Sequence, residues 1–326
     1  MGILNALSVN EIQGKRDHTS VVAEIDRLRK EKNAIILAHY YQVPEIQEIA
    51  DFVGDSLFLA RKAASTQASV IVLAGVHFMA ETAKIINPKK TVLLPDLKAG
   101  CSLADSCQPG DFEAFVNKHS DHTVVTYVNC SAEVKALSDV VCTSSNAVEI
   151  IESIPKDKPI LFAPDENLGR YLTKVTGRKM LLWEGSCLVH EDFSLEKLLR
   201  LHRQHPDAKI IAHPESEWHL LKLASFIGST KKLLDFVQTD SANKFIVATE
   251  AGILHKMKQA VPDKVLLPAP SYEENTCACS ECPHMKMNSL EKLYQCLLNE
   301  SPRIELSDSL IQRANRPIKR MLELSN

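Results

Sequence analysis

Long apolar runs are missing from this sequence of 326 residues. None approaches the roughly 20 consecutive apolar residues that a helix needs to cross a bilayer. The segment from Met1 to Arg16 lacks the charged and then apolar pattern of a secretory signal. Ala6 stands where the myristoylation pattern requires a hydroxyl residue. We therefore expect a cytoplasmic protein with no membrane partner.

A strong charge of one sign is also missing, since the formal net charge is −3. The chain therefore lacks the basic footprint that is typical of a nucleic-acid-binding protein, and we expect no nucleic acid partner. A local pocket for an anionic substrate remains compatible with this balance. The apolar fraction of 45% and the charged fraction of 24% are ordinary for a globular protein with a sizeable core.

Cysteine, in contrast, is present nine times. In a reducing compartment these residues favour metal ligation or catalysis over structural disulfides. The close spacing of a zinc finger is absent except around Cys277, Cys279 and Cys282. This cluster could bind zinc locally, or Cys277 and Cys279 could form a redox-labile pair. We expect the cysteines outside the repeat described below to be ordinary thiols: Cys107, Cys130, Cys142 and Cys296.

A repeat becomes visible when three β-branched runs are aligned. The runs predict strands over 34–39, 123–127 and 209–213, each preceded by a helical pattern over 21–32, 112–119 and 195–205. If His39, Tyr127 and His213 are equivalent, a hydroxyl residue follows 17 residues later in every copy and is predicted to open a helix. These hydroxyl residues are Ser56, Ser144 and Thr230.

The repeat continues with two further strands and a cysteine in each copy. The first of these strands ends near His77, Asp165 and Glu250, to which we assign no role. The last predicted strand of each copy, which we count as its third, begins at Val92, Met180 and Val265, and the cysteines that follow are Cys101, Cys187 and Cys282. The period is 88 and then 86 residues, which is too long for a solenoid repeat and fits a small domain.

Strands that alternate with helices predict parallel sheets. We therefore predict an α/β fold of three pseudo-threefold-related α/β/α units with short parallel sheets around a central cavity. The predicted ranges are 1–108, 109–193 and 194–326, the last including C-terminal helices. Ser194 and Ser289 are predicted helix N-caps, and 307–324 a closing helix.

Ligands of open parallel sheets bind beyond the carboxyl ends of the strands. Helix starts at the same edge offer free N–H groups that suit carboxylate or phosphate. The residues that we expect to line the substrate site follow from this placement: His39, Ser56, Tyr127, Val128, Asn129, Ser144, His213, Pro214, Glu215 and Thr230.

One cysteine per copy places three soft ligands at one end of the cavity. Cys101, Cys187 and Cys282 would suit an Fe–S cluster, zinc or Cu(I). A [4Fe-4S] cluster held by three cysteines leaves one iron open to act on substrate, whereas a structural zinc normally takes four protein ligands.

Segments spread in order over nearly the whole chain resemble the quinolinate synthase family of NAD biosynthesis. Among them are His39-Tyr-Tyr-Gln, Gly75-Val-His-Phe-Met-Ala-Glu-Thr82, Tyr127-Val-Asn-Cys-Ser-Ala-Glu133, Trp183-Glu-Gly-Ser-Cys187-Leu-Val-His190 and Cys282-Pro-His-Met-Lys-Met287. One departure is the spacing Cys277-x-Cys279-x-x-Cys282, where some members of the family have Cys-x-x-Cys-x-x-Cys.

The resemblance implies a transferase that condenses iminoaspartate with dihydroxyacetone phosphate to quinolinate, phosphate and water. It implies a [4Fe-4S] cluster on Cys101, Cys187 and Cys282. Glu215 and Tyr41 would transfer protons, with His39 beside them in the catalytic site. An enzyme that supplies iminoaspartate would be a transient partner.

Two other functions remain open at this point. A [4Fe-4S] hydro-lyase of the aconitase type would also use an open iron but would need no phosphate site. A thiol or Fe–S redox sensor would fit the three close cysteines near position 280 but would need no cavity lined by histidine, tyrosine and glutamate.

Overall fold

The computed structural model of the chain describes residues 18–272 and 280–325. Within these ranges lie three four-stranded sheets in which all strand pairs are parallel. Every sheet has the same order, in which the first strand of the unit lies between the second and the third, and the fourth lies beyond the third. The predicted α/β class with three related α/β/α units is confirmed.

The first unit is built around a strand that is buried on both faces. Its strands are β1 (Ala34–His39), β2 (Phe52–Gly54), β3 (Val70–Ala74) and β4 (Thr91–Leu93), and its helices are α1 (His18–Glu31), α2 (Pro44–Ile49), α3 (Ser56–Ser65), α4 (His77–Ile86) and α5 (Ser102–Asp105). Ile36 of β1 packs in the cluster that contains α1, whereas Leu37 packs in the cluster that contains α3 and α4. This alternation produces three layers, because successive side chains of a strand point to opposite faces.

The second unit repeats the plan. Its strands are β5 (Thr123–Tyr127), β6 (Val140–Cys142), β7 (Ile160–Ala163) and β8 (Met180–Leu182), and its helices are α6 (Pro109–Lys118), α7 (Ala132–Ala136), α8 (Ala147–Ser153), α9 (Glu166–Thr176) and α10 (Leu188–Glu191). Val124 and Val125 of β5 again pack in different clusters, on opposite faces of the sheet.

The third unit has the same alternation at Ile210 and Ile211. Its strands are β9 (Lys209–Ala212), β10 (Phe226–Ile227), β11 (Lys244–Ala248) and β12 (Val265–Pro268), and its helices are α11 (Leu195–Gln204), α12 (Trp218–Leu221), α13 (Thr230–Thr239) and α14 (Ile253–Ala260). A 3₁₀ turn (Met285–Met287) and the helices α15 (Leu290–Asn299) and α16 (Asp308–Leu324) complete the chain.

The two last helices return to the first two units. Leu293 and Leu297 of α15 pack against α1 and the first sheet, and α16 packs in the core that the first two units share. The unit boundaries at 108 and 193 stay a prediction. Along the described ranges, no helix combines the length and the apolarity that crossing a membrane requires.

Each unit has one more strand than the sequence predicted. The missed strands β2, β6 and β10 have three, three and two residues and occupy one edge of their sheets. Strands this short cannot show a period of two, so only their pairing with the neighbouring first strand reveals them. The strand that precedes Cys101, Cys187 or Cys282 is consequently the fourth of its unit, not the third.

The helix starts agree with prediction in two units and differ in one. Ser56 and Thr230 are the first residues of α3 and α13, and the side chains of Asp55 and Ser229 cap these helices. Ser144 does not begin a helix, and α8 starts three residues later. The reason is local: Asn146 Oδ1 accepts hydrogen bonds from the backbone and the hydroxyl of Thr143, which fixes a turn at this point.

Helix starts also join the three units at the centre of the molecule. Ser145 Oγ of the second unit lies 2.6 Å from Asp55 Oδ2 of the first and 2.8 Å from Ser229 Oγ of the third. Two N-cap side chains and the turn before α8 therefore meet in one hydrogen-bonded group, which holds the carboxyl edges of the three sheets around a common point.

The predicted N-caps at Ser194 and Ser289 are confirmed, since their hydroxyl groups accept hydrogen bonds from the backbone of Lys197 and Lys292. We expect Ser194→Ala and Ser289→Ala each to lower the free energy of unfolding by about 1 kcal/mol, because each leaves one helix donor without its cap. Urea unfolding measures this. Ser65→Ala, at the far end of α3, serves as control with a change of less than about 0.5 kcal/mol; equal losses in all three variants would contradict the capping role.

Candidate active site

A cavity of about 90 Å³ lies where the three sheets meet. The first strand of each unit directs its carboxyl end towards it. His39 and Tyr127 end β1 and β5, His213 directly follows β9, and all three line the cavity. The parallel pairing of the strands explains this convergence, because it brings the carboxyl ends of each sheet to one edge.

Most of the residues predicted for the site line this one cavity. Besides the three strand-end residues they are Tyr41, Ser56, Asn129, Ser144, Glu215, Thr230, Cys101, Cys187 and Cys282. Two predicted residues do not face it. The side chain of Val128 packs in the core and in a small neighbouring void, and Pro214 lies between two lining residues without lining the cavity itself.

Glu215 is the buried acid of the site, with 3% of its surface exposed. His190 Nδ1 lies 2.8 Å from Glu215 Oε2, and His213 Nδ1 lies 3.8 Å from the same oxygen. Burial acts to raise the pKa of Glu215, but His190, His213 and the Tyr127 hydroxyl outweigh it and hold this pKa at about 2. The carboxylate is therefore ionised and able to accept a proton.

A line of hydrogen bonds runs from Glu215 to Tyr41. The second ring nitrogen of His190, Nε2, lies 3.1 Å from Thr249 Oγ1, and the same hydroxyl lies 2.8 Å from the Tyr41 hydroxyl. Burial and the negative charge of Glu215 raise the pKa of Tyr41 and of Tyr127 well above the usual value. Both phenols therefore keep their protons and act as donors.

His39 and His213 are neutral at physiological pH. Burial lowers the pKa of each imidazole to about 3. His39 Nδ1 accepts the backbone N–H of Tyr41, and His213 Nε2 lies 3.1 Å from the Ser144 hydroxyl. Neither histidine therefore supplies a positive charge for an anionic substrate, because burial disfavours the imidazolium form.

Dipoles are available in place of that charge. α3 and α13 both begin at the cavity with Ser56 and Thr230, whose hydroxyl groups accompany the free N–H groups of the first helical turn. The positive ends of two helices thus point at the same space. This arrangement suits carboxylate or phosphate groups without a basic surface.

The three cysteines converge at one end of the cavity. Cys101 and Cys187 immediately precede α5 and α10, and Cys282 precedes the 3₁₀ turn. All three thiols are free, and burial raises the pKa of Cys101 to about 12, with the nearby Cys282 adding to the rise. Burial disfavours the charged form of each of these thiols, and a metal centre that binds them as thiolates removes that penalty. The donor set fits a soft metal or an Fe–S cluster.

The other cysteines stand apart from this site. Cys107, Cys130, Cys142 and Cys296 are buried among apolar residues, as ordinary core thiols. Cys277 and Cys279, for which the sequence suggested a zinc site or a redox pair, lie outside the described residues.

The sequence analysis missed three residues of the site. His190 lies three positions after Cys187, and Thr249 and Glu250 directly follow β11. His190, Cys187 and Glu215 form a group whose possible ligand atoms lie within 4.8 Å of one another. The position of Glu250 at the end of a strand was visible as part of the repeat, but no role followed from it. His190 has no counterpart in the repeat, so its signal was limited to its closeness to Cys187.

A parallel α/β fold with a polar cavity at the carboxyl ends of its sheets, holding an ionised carboxylate, two phenols and three thiols, has the architecture of an enzyme. The family model described as "Quinolinate synthetase A protein" matches residues 23–323, and the chain belongs to this family.

Curated relatives agree over almost the whole length. Quinolinate synthase of Trichormus variabilis is 61% identical over 304 residues, which cover 93% of both chains. Quinolinate synthase of Cyanophora paradoxa is 56% identical over 314 residues, 96% of this chain and 95% of the relative. Quinolinate synthase of Chloroherpeton thalassium is 59% identical over 302 residues, 93% and 94% of the two chains.

Acid should destabilise the protein because of its two neutral histidines. The pKa of each imidazole is about 3 in the folded chain and 6.5 in the unfolded chain. The unfolded chain therefore binds more protons below pH 6.5. The histidine contribution is complete above pH 6.5 and is lost as the pH falls towards 3. Near pH 5 we expect each histidine to add about 1.4 kcal/mol per pH unit to the slope of the unfolding free energy. Glu215, at about 2 against 4.5, adds a loss of the same sign below pH 4.5.

Denaturant unfolding of the metal-free protein between pH 7 and pH 5 measures this slope. We expect His39→Gln to reduce the slope by about 1.4 kcal/mol per pH unit, and His39→Gln/His213→Gln to reduce it by about twice that amount. His219→Gln, at an exposed histidine, is the matched control and leaves the slope unchanged. A double variant with the slope of the parent chain would show that the two imidazoles are not held neutral.

Proposed function

We propose that this chain is a quinolinate synthase that condenses iminoaspartate with dihydroxyacetone phosphate in NAD biosynthesis, with a [4Fe-4S] cluster on Cys101, Cys187 and Cys282. The observation that carries the proposal is a single cavity to which each unit contributes one of these thiols, with Glu215 and Tyr41 facing the same space. The high identity to several quinolinate synthases over 93% of the chain supports the reaction named.

The proposed reaction requires no external oxidant. Iminoaspartate and dihydroxyacetone phosphate together contain the atoms of quinolinate, one phosphate and two water molecules. One carbon–carbon bond and one carbon–nitrogen bond form, and the carbon–oxygen bonds to phosphate and to two hydroxyl groups break. The protein must therefore bind two anionic substrates, move protons between carbon and oxygen, and assist the departure of oxygen groups.

The helix starts bind the anionic groups of the substrates. The N–H groups and hydroxyls at Ser56 and Thr230, with Ser144 and Asn129 beside them, provide donors for the carboxylates of one substrate and the phosphate of the other. Neutral His39 and His213 add imidazole groups that can donate or accept a hydrogen bond without changing the charge of the cavity.

Glu215 and Tyr41 transfer the protons. The carboxylate of Glu215 is ionised, oriented by His190 and within the cavity, so it removes a proton from carbon during the condensation and the later aromatisation. Tyr41 keeps its proton and donates a hydrogen bond to a carbonyl or hydroxyl oxygen of the substrate. The hydrogen bonds through Thr249 connect both groups, so that a proton taken at one end can be returned at the other.

The cluster, when bound, supplies an open iron that acts as a Lewis acid at a substrate oxygen and assists its departure as water. The three cysteines hold it at the end of the cavity, and the enclosing units keep bulk water from the labile imine. A transferase of this kind requires no further cofactor from the chain.

Anaerobic preparation, iron and sulfide analysis and an assay with both substrates test the proposal. We expect one [4Fe-4S] cluster per chain and the release of quinolinate and phosphate in equal amounts. We expect Cys101→Ser, Cys187→Ser and Cys282→Ser each to abolish both cluster and product. Cys296→Ser, at a buried thiol of α15, is the matched control and keeps both.

The rival functions predict other outcomes. A hydro-lyase would exchange water with a hydroxy acid and release no phosphate from dihydroxyacetone phosphate. A sensor would bind the cluster and yield no product. Full cluster content in any one of the three serine variants would overturn the assignment of that ligand.

Glu215→Gln separates proton transfer from cluster binding. We expect the variant to retain its cluster and to lose quinolinate formation by a factor of about 10² to 10⁴, because the amide cannot accept the proton. The rate of product formation at saturating substrates measures the loss. Asp139→Asn, at a carboxylate outside the cavity that accepts the backbone N–H of Val124, is the control. Parent-like turnover of Glu215→Gln would exclude Glu215 as the base.

A further inference from the structure

Shortly after the third strand of each unit, the chain contacts the segment that carries the cysteine of the same unit. In the first unit the backbone N–H of His77 donates to the carbonyl of Ala99, two residues before Cys101, at 2.7 Å. In the second unit the backbone N–H of Glu166 donates to the carbonyl of Gly185, two residues before Cys187, at 2.8 Å. In the third unit a side chain makes the contact, because the Glu250 carboxylate accepts the backbone N–H of Cys282 at 3.0 Å.

Glu250 makes the most extensive of these contacts. Its side chain has no exposed surface. Oε1 accepts the N–H of Cys282 and pairs with Lys286 Nζ at 2.9 Å, and Oε2 accepts the N–H of Gly252 at 2.7 Å. Lys286 Nζ also donates to the carbonyl of Tyr41 at 2.7 Å. One buried ion pair thus joins the Cys282 segment to the backbone of a residue in the catalytic site.

The Cys282 segment needs such an anchor more than the other two. Cys101 and Cys187 follow their sheets by 8 and 5 residues, whereas Cys282 stands 14 residues after the end of β12. Holding the end of a longer connection in one place costs more conformational entropy. A buried carboxylate that binds the cysteine's own N–H replaces the rigidity that a short connection gives to the other two.

We propose that Glu250, together with Lys286, is a positioning residue that holds Cys282 in the geometry required for metal binding and keeps it in register with Tyr41. The inference rests on the proposed function, since it presumes that Cys282 ligates a cluster. Glu250 acts through the backbone of Cys282, whose N–H it accepts, and not through the thiol. Gly252 is part of the same group of contacts. A Cβ at this position would lie 2.8 Å from Glu250 Oε2 and 2.9 Å from the backbone of Tyr41, so a larger residue would disturb both.

The test measures how fast the reconstituted protein releases iron to a ferrous chelator under anaerobic conditions. We expect Glu250→Met/Lys286→Met to release it about tenfold faster than the parent chain, the lower end of what outer ligand contacts usually contribute to metal affinity. This double variant leaves no unpaired buried charge, so the metal-free protein should still fold. Glu250→Gln keeps an oxygen for the Cys282 N–H and should restore slow release.

Glu81→Met is the matched control. Glu81 is also a buried carboxylate that accepts one backbone N–H, from Ala132, and it makes no hydrogen bond to residues 99–101, 185–187 or 280–282. Thermal unfolding of the metal-free variants reports general loss of stability. Parent-like release from the double variant, or equally fast release from Glu81→Met, would overturn the positioning role. If the parent chain itself forms no cluster, the proposed function fails instead, so the two failures are distinguishable.

Discussion

Parallel strand pairing is the constraint on which the rest of the structure depends. It brings the carboxyl ends of each sheet to one edge, and the hydrogen-bonded group at Ser145, Asp55 and Ser229 brings the three edges to one point. Residues far apart in the sequence then become neighbours without any long-range motif. The thiols, the helix starts and the strand-end side chains share a cavity because each occupies the same place in its own unit.

The cavity that results contains polar groups, but none of its described lining residues is a lysine or an arginine. His39 and His213 are neutral, both tyrosines are protonated, and the Glu215 carboxylate lies 2.8 Å from His190. Two anionic substrates would meet little attraction from full positive charges here. Helix dipoles and hydroxyl groups bind anions while leaving the local dielectric low, and a low dielectric strengthens each hydrogen bond made to a reacting oxygen.

The sequence predicted what lies within one repeat and missed what forms between repeats. Periodic offsets located β1, β5 and β9, the helix starts at Ser56 and Thr230 and all three cysteines. They could not locate the line from Glu215 to Tyr41, since His190 belongs to the second unit and Thr249 to the third. Ser144 was misplaced for a related reason: the side chain of Asn146 forms a turn that hydrophobic periodicity does not record. The edge strands β2, β6 and β10 were too short for any pattern.

Equivalent positions of the three units carry different side chains, which explains how a triplicated fold can catalyse a reaction of two different substrates. At the strand ends the three units present His39, Tyr127 and His213, and after the third strands they present His77, Asp165 and Glu250. Divergence at these places gives each side of the cavity its own donors and acceptors, as two different substrates require. The cysteines alone keep one residue type, which is what the proposed cluster on three thiolates would require. The chain from the last strand to the cysteine is longest before Cys282, and there the buried carboxylate of Glu250, paired with Lys286, binds the backbone of the cysteine itself.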